Sequence, residues 1–483
     1  MILSLSKGLS TSARTVGFFL LNRNNPHQFV ITSLIILGQI RRRLPFVVSI
    51  ALLACLIASS VHAADGRSTR RKAIEAKSTG QPTDFRSQRF LLHTDLPAKE
   101  ANELLGRLET MLTIISTYWG RPPAGMIELY VVKDLAAWPE NVIEEEGRAK
   151  IAEGAGVTIT QTLSVGGLGA PRRKVAAKAV VFAVADQGTP QHEAVHAYCG
   201  QTFGATGPVW YAEGMAEMGQ YWRKNERGVV CHPEIIRYLQ SGEVKRVSDI
   251  LDPKQFTGDS WQNYAWRWAL CHLLVNNTNY AERFRDFGLR LLNEEPVTFR
   301  DVFGAMSQEI EFELRFFVDH LEPGYRADLC SWDWKRKFKP IVSGSTLSFR
   351  IQAARGWQPT GIALRGGDRL RYRAKGTWRV TRSGKPVTAA GDKDGIGRLE
   401  AILMSGFELS QPVELSAQGT FTAPSQGNLY LRCRDSWAKL GDNSGGLMVS
   451  VALASAAEKP APAETATPEQ VSESRSSATA APR

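Results

Sequence analysis

Hydrophobic and polar positions follow two different periods in the first patterned part of the chain. "RFLLHT" (89–94) and "MIELYVV" (126–132) are short apolar runs of strand length. Between them, "AKEANELLGRLETMLTIISTYWG" (98–120) repeats apolar residues at helical spacing and stops at a glycine before two prolines. A third strand is predicted at "KAVVFAVAD" (178–186), after a polar, glycine-rich stretch at 138–175.

Helical spacing dominates the next part of the chain. A helix is predicted to open at Thr189-Pro190, because proline is favoured in the first turn of a helix. Further helices are predicted at 208–225, 261–276, 280–293 and 300–321.

The pattern changes again in the C-terminal third of the chain. Short alternating runs such as "LRYRAKG" and "LMVSVAL", separated by glycines, predict a separate all-β sandwich over 345–455. The predicted fold class is therefore α+β, with a mixed domain at 85–335 followed by a small all-β sandwich. Residues 65–84 are predicted to be a flexible linker, and the low-complexity tail at 456–483 is predicted to be disordered.

The N-terminal extension (residues 1–64) has the pattern of an export signal. "RRR" at 41–43 precedes the apolar run "LPFVVSIALLACLIASSV" and the small residues of "HAADG". We expect cleavage after Ala63 or Ala64 and a periplasmic, extracellular or cell-envelope location. An uncleaved membrane anchor is the alternative, because the apolar run approaches spanning length. A lipoprotein signal at Cys55 is less favoured, since apolar residues follow it.

Charge and cysteine content narrow the class of protein further. The net charge is +11, but six basic and no acidic residues lie within residues 1–63, which leaves +5 (11 − 6) for the rest. The sequence shows no basic stripe with interleaved aromatic residues, so no nucleic-acid partner is expected. Five cysteines follow the expected cleavage point, with irregular spacing and no CxxC pair. They predict no disulfide framework, and leave open either one bridge or buried free thiols.

The stretch "QHEAVHAYCG" (191–200) carries the first candidate chemistry. His192 and His196 are four residues apart, so on a helix both imidazoles lie on one face and can bind one metal ion. Glu193 lies beside them as a candidate general base. The alternative is two half-exposed histidines on an amphipathic helix.

The segment "GPVWYAEGMAEMGQ" (207–220) supplies candidate carboxylates. Sixteen residues separate His196 from Glu213, which would complete a His₂Glu ligand set and leave one zinc position open. Glu217 follows one turn later on the same face and is a candidate to hold a ligand imidazole, that of His192, by its ring N–H. The alternative for both glutamates is a solvated helix surface.

These motifs, "HEAVH" followed by "WYAEGMAE", resemble the gluzincin metallopeptidases, and most closely in appearance the peptidase-MA-like proteins of unknown function common in planctomycetes. The resemblance covers roughly 85–325 and includes the aromatic helix "SWQNYAWRWALCHLLV". It implies a zincin-like domain that hydrolyses protein or peptide substrates with Zn²⁺. It also implies His192, His196 and Glu213 as zinc ligands and Glu193 as general base. No G-x-M-E-N motif is present, so the resemblance implies no aminopeptidase activity.

Two further expectations concern the transition state and the substrate. Tyr264 is the candidate donor to the developing oxyanion, with core packing beside neighbouring tryptophans as the favoured alternative. The strand at 178–185 is the expected site at which an extended substrate pairs with the backbone. His272 has no partner that the sequence identifies, so packing is expected for it.

The segments at 356–378 and 429–451 are similar to the bacterial galactophilic lectin fold, a β-sandwich that binds sugar through calcium. The spacing D-x₆-D-N-S-G matches Asp435, Asp442 and Asn443 to the calcium-binding side chains of that family. The sugar-contacting loop of the family is not recognisable, and a structural turn is the alternative. The first functional hypothesis is thus an exported zinc peptidase with a calcium- and carbohydrate-binding-like module. The second is a non-catalytic, glycan-binding envelope protein, and hydrolysis of a non-peptide amide is a third.

Overall fold

A computed structural model of the 483-residue chain describes residues 80–165, 173–252 and 260–454. The expected export segment (1–64) and the tail (456–483) lie outside the described residues. Within the described ranges, no helix combines the length and apolar character needed to cross a membrane. The architecture is α+β: a sheet with helices packed against it, followed by two all-β sheets.

The N-terminal domain contains a five-stranded sheet. Its strands are β1 (Thr83–Arg86), β2 (Phe90–Thr94), β3 (Ile127–Val132), β4 (Gly156–Val165) and β5 (Arg173–Val184). They are ordered β1-β2-β3-β5-β4. The inner strands β2, β3 and β5 are parallel, whereas β1 and β4 run antiparallel to their neighbours. Strand β5 is therefore paired on both sides, and no described strand pairs with the outer side of β4.

The helices are α1 (Ala98–Trp119), α2 (Glu145–Ala152), α3 (Thr189–Phe203), α4 (Val209–Tyr221), α5 (Pro233–Gln240), α6 (Val247–Leu251), α7 (Trp261–Asn276), α8 (Ala281–Leu292), α9 (Phe299–Phe303), α10 (Ser307–Asp319) and α11 (Ala327–Cys330). Helix α1 shows the expected apolar stripe, with Leu104, Leu105, Leu108 and Leu112 buried. It ends at Gly120, whose φ of 65° is the left-handed conformation typical of a helix C-terminus.

The polar, glycine-rich stretch at 138–175, for which the sequence pattern indicated no element, contains α2, β4 and the start of β5. Helix α2 has little hydrophobic periodicity because it is rich in charged residues. Strand β4, "GVTITQTLSV", alternates β-branched and polar residues, which suits a half-covered edge strand but is easily mistaken for a loop. Tertiary contacts therefore decided these elements: β4 pairs with β5 and packs against α3, and α2 packs against β5.

Helices α3, α4 and α7 form the centre of the N-terminal domain. Helix α3 is buried on every face from Thr189 to Gly200, because it lies between the sheet and α4. Gly214 allows α4 to approach α7 closely: a Cβ at this position would lie 2.4 Å from Cys271 Sγ and 2.7 Å from the Arg267 carbonyl oxygen. The glycine of "AEGMAE" is thus required by helix packing.

The C-terminal sandwich is built from two sheets in which the strands are antiparallel, except that β6 pairs with β8 in parallel. Its strands are β6 (Lys339–Pro340), β7 (Thr346–Gln352), β8 (Gln358–Leu364), β9 (Arg369–Arg379), β10 (Leu399–Ser405), β11 (Glu408–Leu409), β12 (Val413–Leu415), β13 (Gln418–Thr422), β14 (Gly427–Cys433) and β15 (Ser444–Leu453). One sheet is ordered β11-β10-β14-β8-β6, with β12 also pairing β10, and the other β13-β9-β15-β7. Alternate residues of β9, such as Leu370, Tyr372 and Ala374, face the shared core.

An aromatic cluster joins the two parts of the chain. Phe312 and Phe316 of α10 pack with Trp332, and Tyr430 of the sandwich contacts Trp332 with ring centroids 4.9 Å apart. Trp437 contacts Phe316 from the sandwich side, with a centroid distance of 5.1 Å. The sandwich is therefore packed onto the N-terminal domain through large buried rings.

Candidate metal centre

Helices α3 and α4 bring three predicted ligand atoms together. His192 Nε2 lies 3.2 Å from His196 Nε2. Glu213 Oε2 lies 3.5 Å from His192 Nε2 and 3.4 Å from His196 Nε2. The histidines come from successive turns of α3 and the carboxylate from α4, and all three side chains are buried. They form a near-equilateral triangle of nitrogen and oxygen atoms that could hold a metal ion.

The dimensions of this triangle fit a tetrahedral metal ion. Ligands bound about 2.1 Å from such an ion lie roughly 3.4 Å apart, which is the separation found here. Glu213 Oε2 is also buried, and its contacts with the two imidazole nitrogens, at 3.4 and 3.5 Å, are longer than ordinary hydrogen bonds. An unpaired buried carboxylate oxygen is costly unless a cation binds it. Three protein ligands of this kind leave a fourth position for water or substrate.

Charge in the cluster is balanced by its neighbours. Burial alone would lower the pKa of His192, but its contacts with Glu213 and Glu217 raise that pKa well above the usual value. Burial raises the pKa of Glu213, yet the adjacent His196 and His192 lower it to about 2. Glu213 is therefore a carboxylate, which is the ligand form that binds a cation.

The structure places Glu217 behind His192. Glu217 Oε1 lies 3.1 Å from His192 Nδ1, on the side of the ring opposite the triangle, and is buried. A carboxylate at this nitrogen holds the Nδ1 proton, so that in the neutral ring, the form that binds a metal, the lone pair of Nε2 faces the metal position.

Glu193 is held by a residue that the sequence did not single out. Glu193 is buried, and burial raises the pKa of its carboxyl group. The hydroxyl group of Thr158 on β4 lies 2.7 Å from Glu193 Oε2 and 3.0 Å from the Glu193 carbonyl oxygen, and its single proton is shared between these two acceptors. Gly156 permits this approach, because a Cβ there would lie 2.8 Å from Glu193 Cγ. Both residues lie in the polar, glycine-rich stretch at 138–175, where the local pattern marks neither of them as functional.

Tyr264, the candidate oxyanion donor, lies beside the cluster. Its ring centroid is 6.2 Å from that of His192, and the Arg267 guanidinium carbon lies 5.6 Å from the centre of the tyrosine ring. Tyr264 opens the buried face of α7 and is itself 4% exposed. The tyrosine is thus both packed in the core and adjacent to a candidate ligand, His192.

Two other expectations meet the structure differently. The strand expected at 178–185 to pair with a substrate is wrong as a binding edge, because β5 already pairs with β3 and β4. Among the described strands, β4 lies beside α3 and has an edge that pairs with no other described strand. The described cysteines are all buried and free, so neither Cys199 nor any of the others forms a disulfide.

The loop after β14 gathers the three residues matched to calcium ligands. Asp435 Oδ2, Asp442 Oδ1 and Asn443 Oδ1 are each buried and lack a hydrogen-bond partner among the described residues. Asp435 is 9% exposed and Asn443 7% exposed. Burial and the nearby Asp442 carboxylate raise the pKa of Asp435. Three unpaired oxygens in one loop offer hard ligands of the type that calcium binds.

Comparison with known proteins gives weak structural likenesses. No protein-family model matches the chain, and no curated protein matches it. A solved structure described as the EclA N-terminal domain, a PllA-like lectin, is 22% identical over 22% of this chain and 96% of its own, with a TM-score of 0.20.

A second solved structure, the IMPa metallopeptidase from Pseudomonas aeruginosa, is 16% identical over 40% of this chain, with a TM-score of 0.15. The match spans 20% of that protein's length. Both TM-scores lie far below 0.5, so neither likeness assigns a function, and the triangle of ligand atoms carries the argument.

Proposed function

We propose that the N-terminal domain is a zincin-like metallopeptidase of the gluzincin type that cleaves peptide bonds within protein substrates. The observation that carries the proposal is the buried triangle of His192, His196 and Glu213, with sides of 3.2 to 3.5 Å. Two imidazoles and one carboxylate are the ligand set of catalytic zinc, whereas closed structural zinc sites use four protein ligands. Bound Zn²⁺ would supply a Lewis acid and a water of near-neutral pKa.

The proposed roles of the chain's own residues follow from their positions. Glu193, adjacent in sequence to His192 and held by Thr158, accepts a proton from the attacking water and returns it to the leaving amine. Glu217 keeps the His192 ring in its ligand orientation through the 3.1 Å contact. Tyr264 is proposed to donate to the developing oxyanion from α7.

The open edge of β4 supports binding of an extended substrate. No described strand pairs with its outer side, and Thr158 on the same strand contacts the base. A peptide that added to this edge would place its backbone alongside α3, and main-chain hydrogen bonds would then fix the scissile bond. The proposed substrate is accordingly a protein or peptide in extended conformation.

The test combines metal analysis with digestion of a broad peptide library. The wild-type chain is expected to bind one zinc ion at this site and to cleave peptides internally, and a chelator is expected to abolish cleavage. Glu193→Gln should keep the zinc and lose cleavage, while the exposed Glu226→Gln serves as the matched control. Zinc binding with equal inertness of wild type and Glu193→Gln would favour the second candidate, a non-catalytic glycan-binding envelope protein on the same scaffold.

We further propose that Asp435, Asp442 and Asn443 bind Ca²⁺ through their unpaired oxygens. The site would order the loop that joins β14 to β15, next to the contact with the N-terminal domain. Calorimetric titration of Ca²⁺ into the chain tests this directly, and the absence of saturable heat would contradict it.

A further inference from the structure

A groove of about 460 Å³ opens on the sandwich at a place that neither proposed metal site uses. Its volume falls within the range of small-molecule sites. Its walls combine aromatic and polar side chains, among them Trp334, Arg336, Arg365, Phe407, Gln426 and Asn428. This mixture distinguishes the groove from an ordinary gap between packed elements.

The aromatic wall is held in a fixed orientation. The indole N–H of Trp334 donates a hydrogen bond of 2.6 Å to the buried carboxylate of Glu313 on α10. The ring of Phe407 lies 5.6 Å from the ring of Trp334 and 5.9 Å from that of Phe312. Trp334 and Phe407 are nonetheless half-buried rather than buried, so part of each ring is accessible.

Phe407 occupies an unfavourable backbone conformation. Ser405 pairs with Glu408, so Gly406 and Phe407 form a two-residue hairpin turn with φ values of 57° and 66°. Such a turn favours Asn-Gly or Gly-Gly, and a bulky residue at positive φ is unusual. Strain of this kind concentrates where a side chain has a required position. Here it holds an aromatic ring at the groove.

The rim of the groove is polar and positively charged. Arg336 and Arg365 are exposed on it, and Gln426 and Asn428 add amides that can both donate and accept hydrogen bonds. Asp333 is the acidic residue of the lining, and its Oδ1 accepts from the backbone N–H groups of residues 335 and 336. The rim therefore favours an anionic ligand rich in hydroxyl groups.

The groove is separate from the proposed calcium loop. It lies at Gly427 and Asn428, where β14 begins, whereas the loop containing Asp435 follows Cys433, where β14 ends. Tyr430, midway along β14, also lines the groove, but none of Asp435, Asp442 and Asn443 does. A ligand in the groove would thus bind without contacting calcium.

We propose that this groove binds an acidic oligosaccharide. A sugar ring presents an apolar C–H face to an aromatic ring and hydroxyl groups to amides, and a carboxylate or sulfate group pairs with arginine. The groove supplies all three kinds of contact: the rings of Trp334 and Phe407, the amides of Gln426 and Asn428, and the guanidinium groups of Arg336 and Arg365. An acidic peptide would use the arginines but leave the fixed aromatic wall without a planar partner.

The experiment titrates the full chain with a panel of short oligosaccharides that contain uronate, sialic acid or sulfate groups. A chelator is present in the buffer, so that no metal takes part in binding. We expect saturable binding of at least one acidic member, at least tenfold tighter than that of a neutral maltotriose. The double variant Arg336→Glu/Arg365→Glu should weaken binding at least tenfold. Arg373→Glu, an exposed arginine on the other sheet, should leave it unchanged.

Several outcomes would overturn the proposal: no acidic saccharide binds, the double variant binds as tightly as wild type, or a hexa-aspartate peptide binds equally well. Thermal melting of each variant checks folding, and the substituted side chains are exposed, so the melting temperature should be unchanged. Because the assay is metal-free and involves no cleavage, failure here is distinguishable from failure of the peptidase proposal.

Discussion

The hydroxyl group of Thr158 lies 2.7 Å from Glu193 Oε2 and joins the edge strand β4 to the helix that carries both histidines. The same hydroxyl reaches the Glu193 backbone carbonyl oxygen at 3.0 Å. The orientation of the proposed base therefore depends on the strand proposed to receive the substrate. Thr158 is a positioning residue in this arrangement, since it acts through Glu193.

Replacing Thr158 with valine should lower kcat and leave zinc affinity unchanged. A hydrogen bond to a charged group contributes about 1.5–3 kcal/mol, so its loss should reduce kcat roughly tenfold or more. Thr158→Ser keeps the hydroxyl and should restore most of the rate. Steady-state kinetics with a cleaved library peptide, together with zinc titration, measure both quantities. Equal rates for the serine and valine variants would contradict the assigned role.

Replacing Glu213 with glutamine should weaken zinc binding far more than replacing Glu217. Glu213 supplies an oxygen of the triangle, whereas Glu217 touches only the far nitrogen of His192. Loss of a carboxylate that holds a ligand imidazole, as Glu217 does, typically lowers metal affinity 10–100-fold. Glu217→Gln should therefore weaken zinc binding within that range, and Glu213→Gln should weaken it by more than about 100-fold. Competition with a coloured chelator measures both, and Glu226→Gln is the surface control. An equal effect of the two substitutions would remove Glu213 from the ligand set.

Calcium should raise the melting temperature of the wild-type chain by several degrees. A ligand present at 100 times its dissociation constant stabilises the folded state by about 2.7 kcal/mol. Asp435→Asn and Asp442→Asn should each reduce the shift, because each removes a carboxylate whose buried oxygen is unpaired. Asp394→Asn, on an exposed turn, should retain it. Differential scanning calorimetry with calcium and with chelator provides the comparison.

The contact between the two parts of the chain should make them unfold together. Glu322 Oε1 accepts hydrogen bonds from Ser436 Oγ at 2.6 Å and from the Ala438 backbone N–H at 3.0 Å, beside the Trp437 ring. Trp437→Ala removes the ring that packs on Phe316 and should split a single calorimetric transition into two. A single transition in both proteins would mean that other contacts suffice for coupling.

The buried His272 should make the protein less stable in mild acid. Burial lowers its pKa to about 4 from the ordinary 6.5, and its ring stacks on Phe317. The neutral form is favoured in the folded state, so its stabilising contribution is complete above pH 6.5 and is lost as the pH falls towards 4.

The expected loss is at most about 3 kcal/mol in the free energy of unfolding, from 1.36 kcal/mol per pKa unit. Urea unfolding at several pH values measures it. His272→Leu should flatten this dependence, and substitution of the exposed His232 with leucine should not.

The sequence by itself determined the elements with strong local signals. The helix at 98–119, the histidine pair and the alternating runs of the sandwich follow from periodicities of a few residues, which need no tertiary information. The spacing of Glu213 and of the Asp435 loop also pointed to candidate ligands before any contact was known.

Tertiary structure alone decided what depends on distance between remote segments. Packing of the sheet against the helices places Glu213 beside the two histidines and Thr158 within hydrogen-bond distance of Glu193. It also pairs β5 on both sides. The weakly patterned β4 acquires its identity from pairing with β5. Local sequence cannot encode such contacts, because strand pairing and helix docking bring together residues that are far apart in the chain.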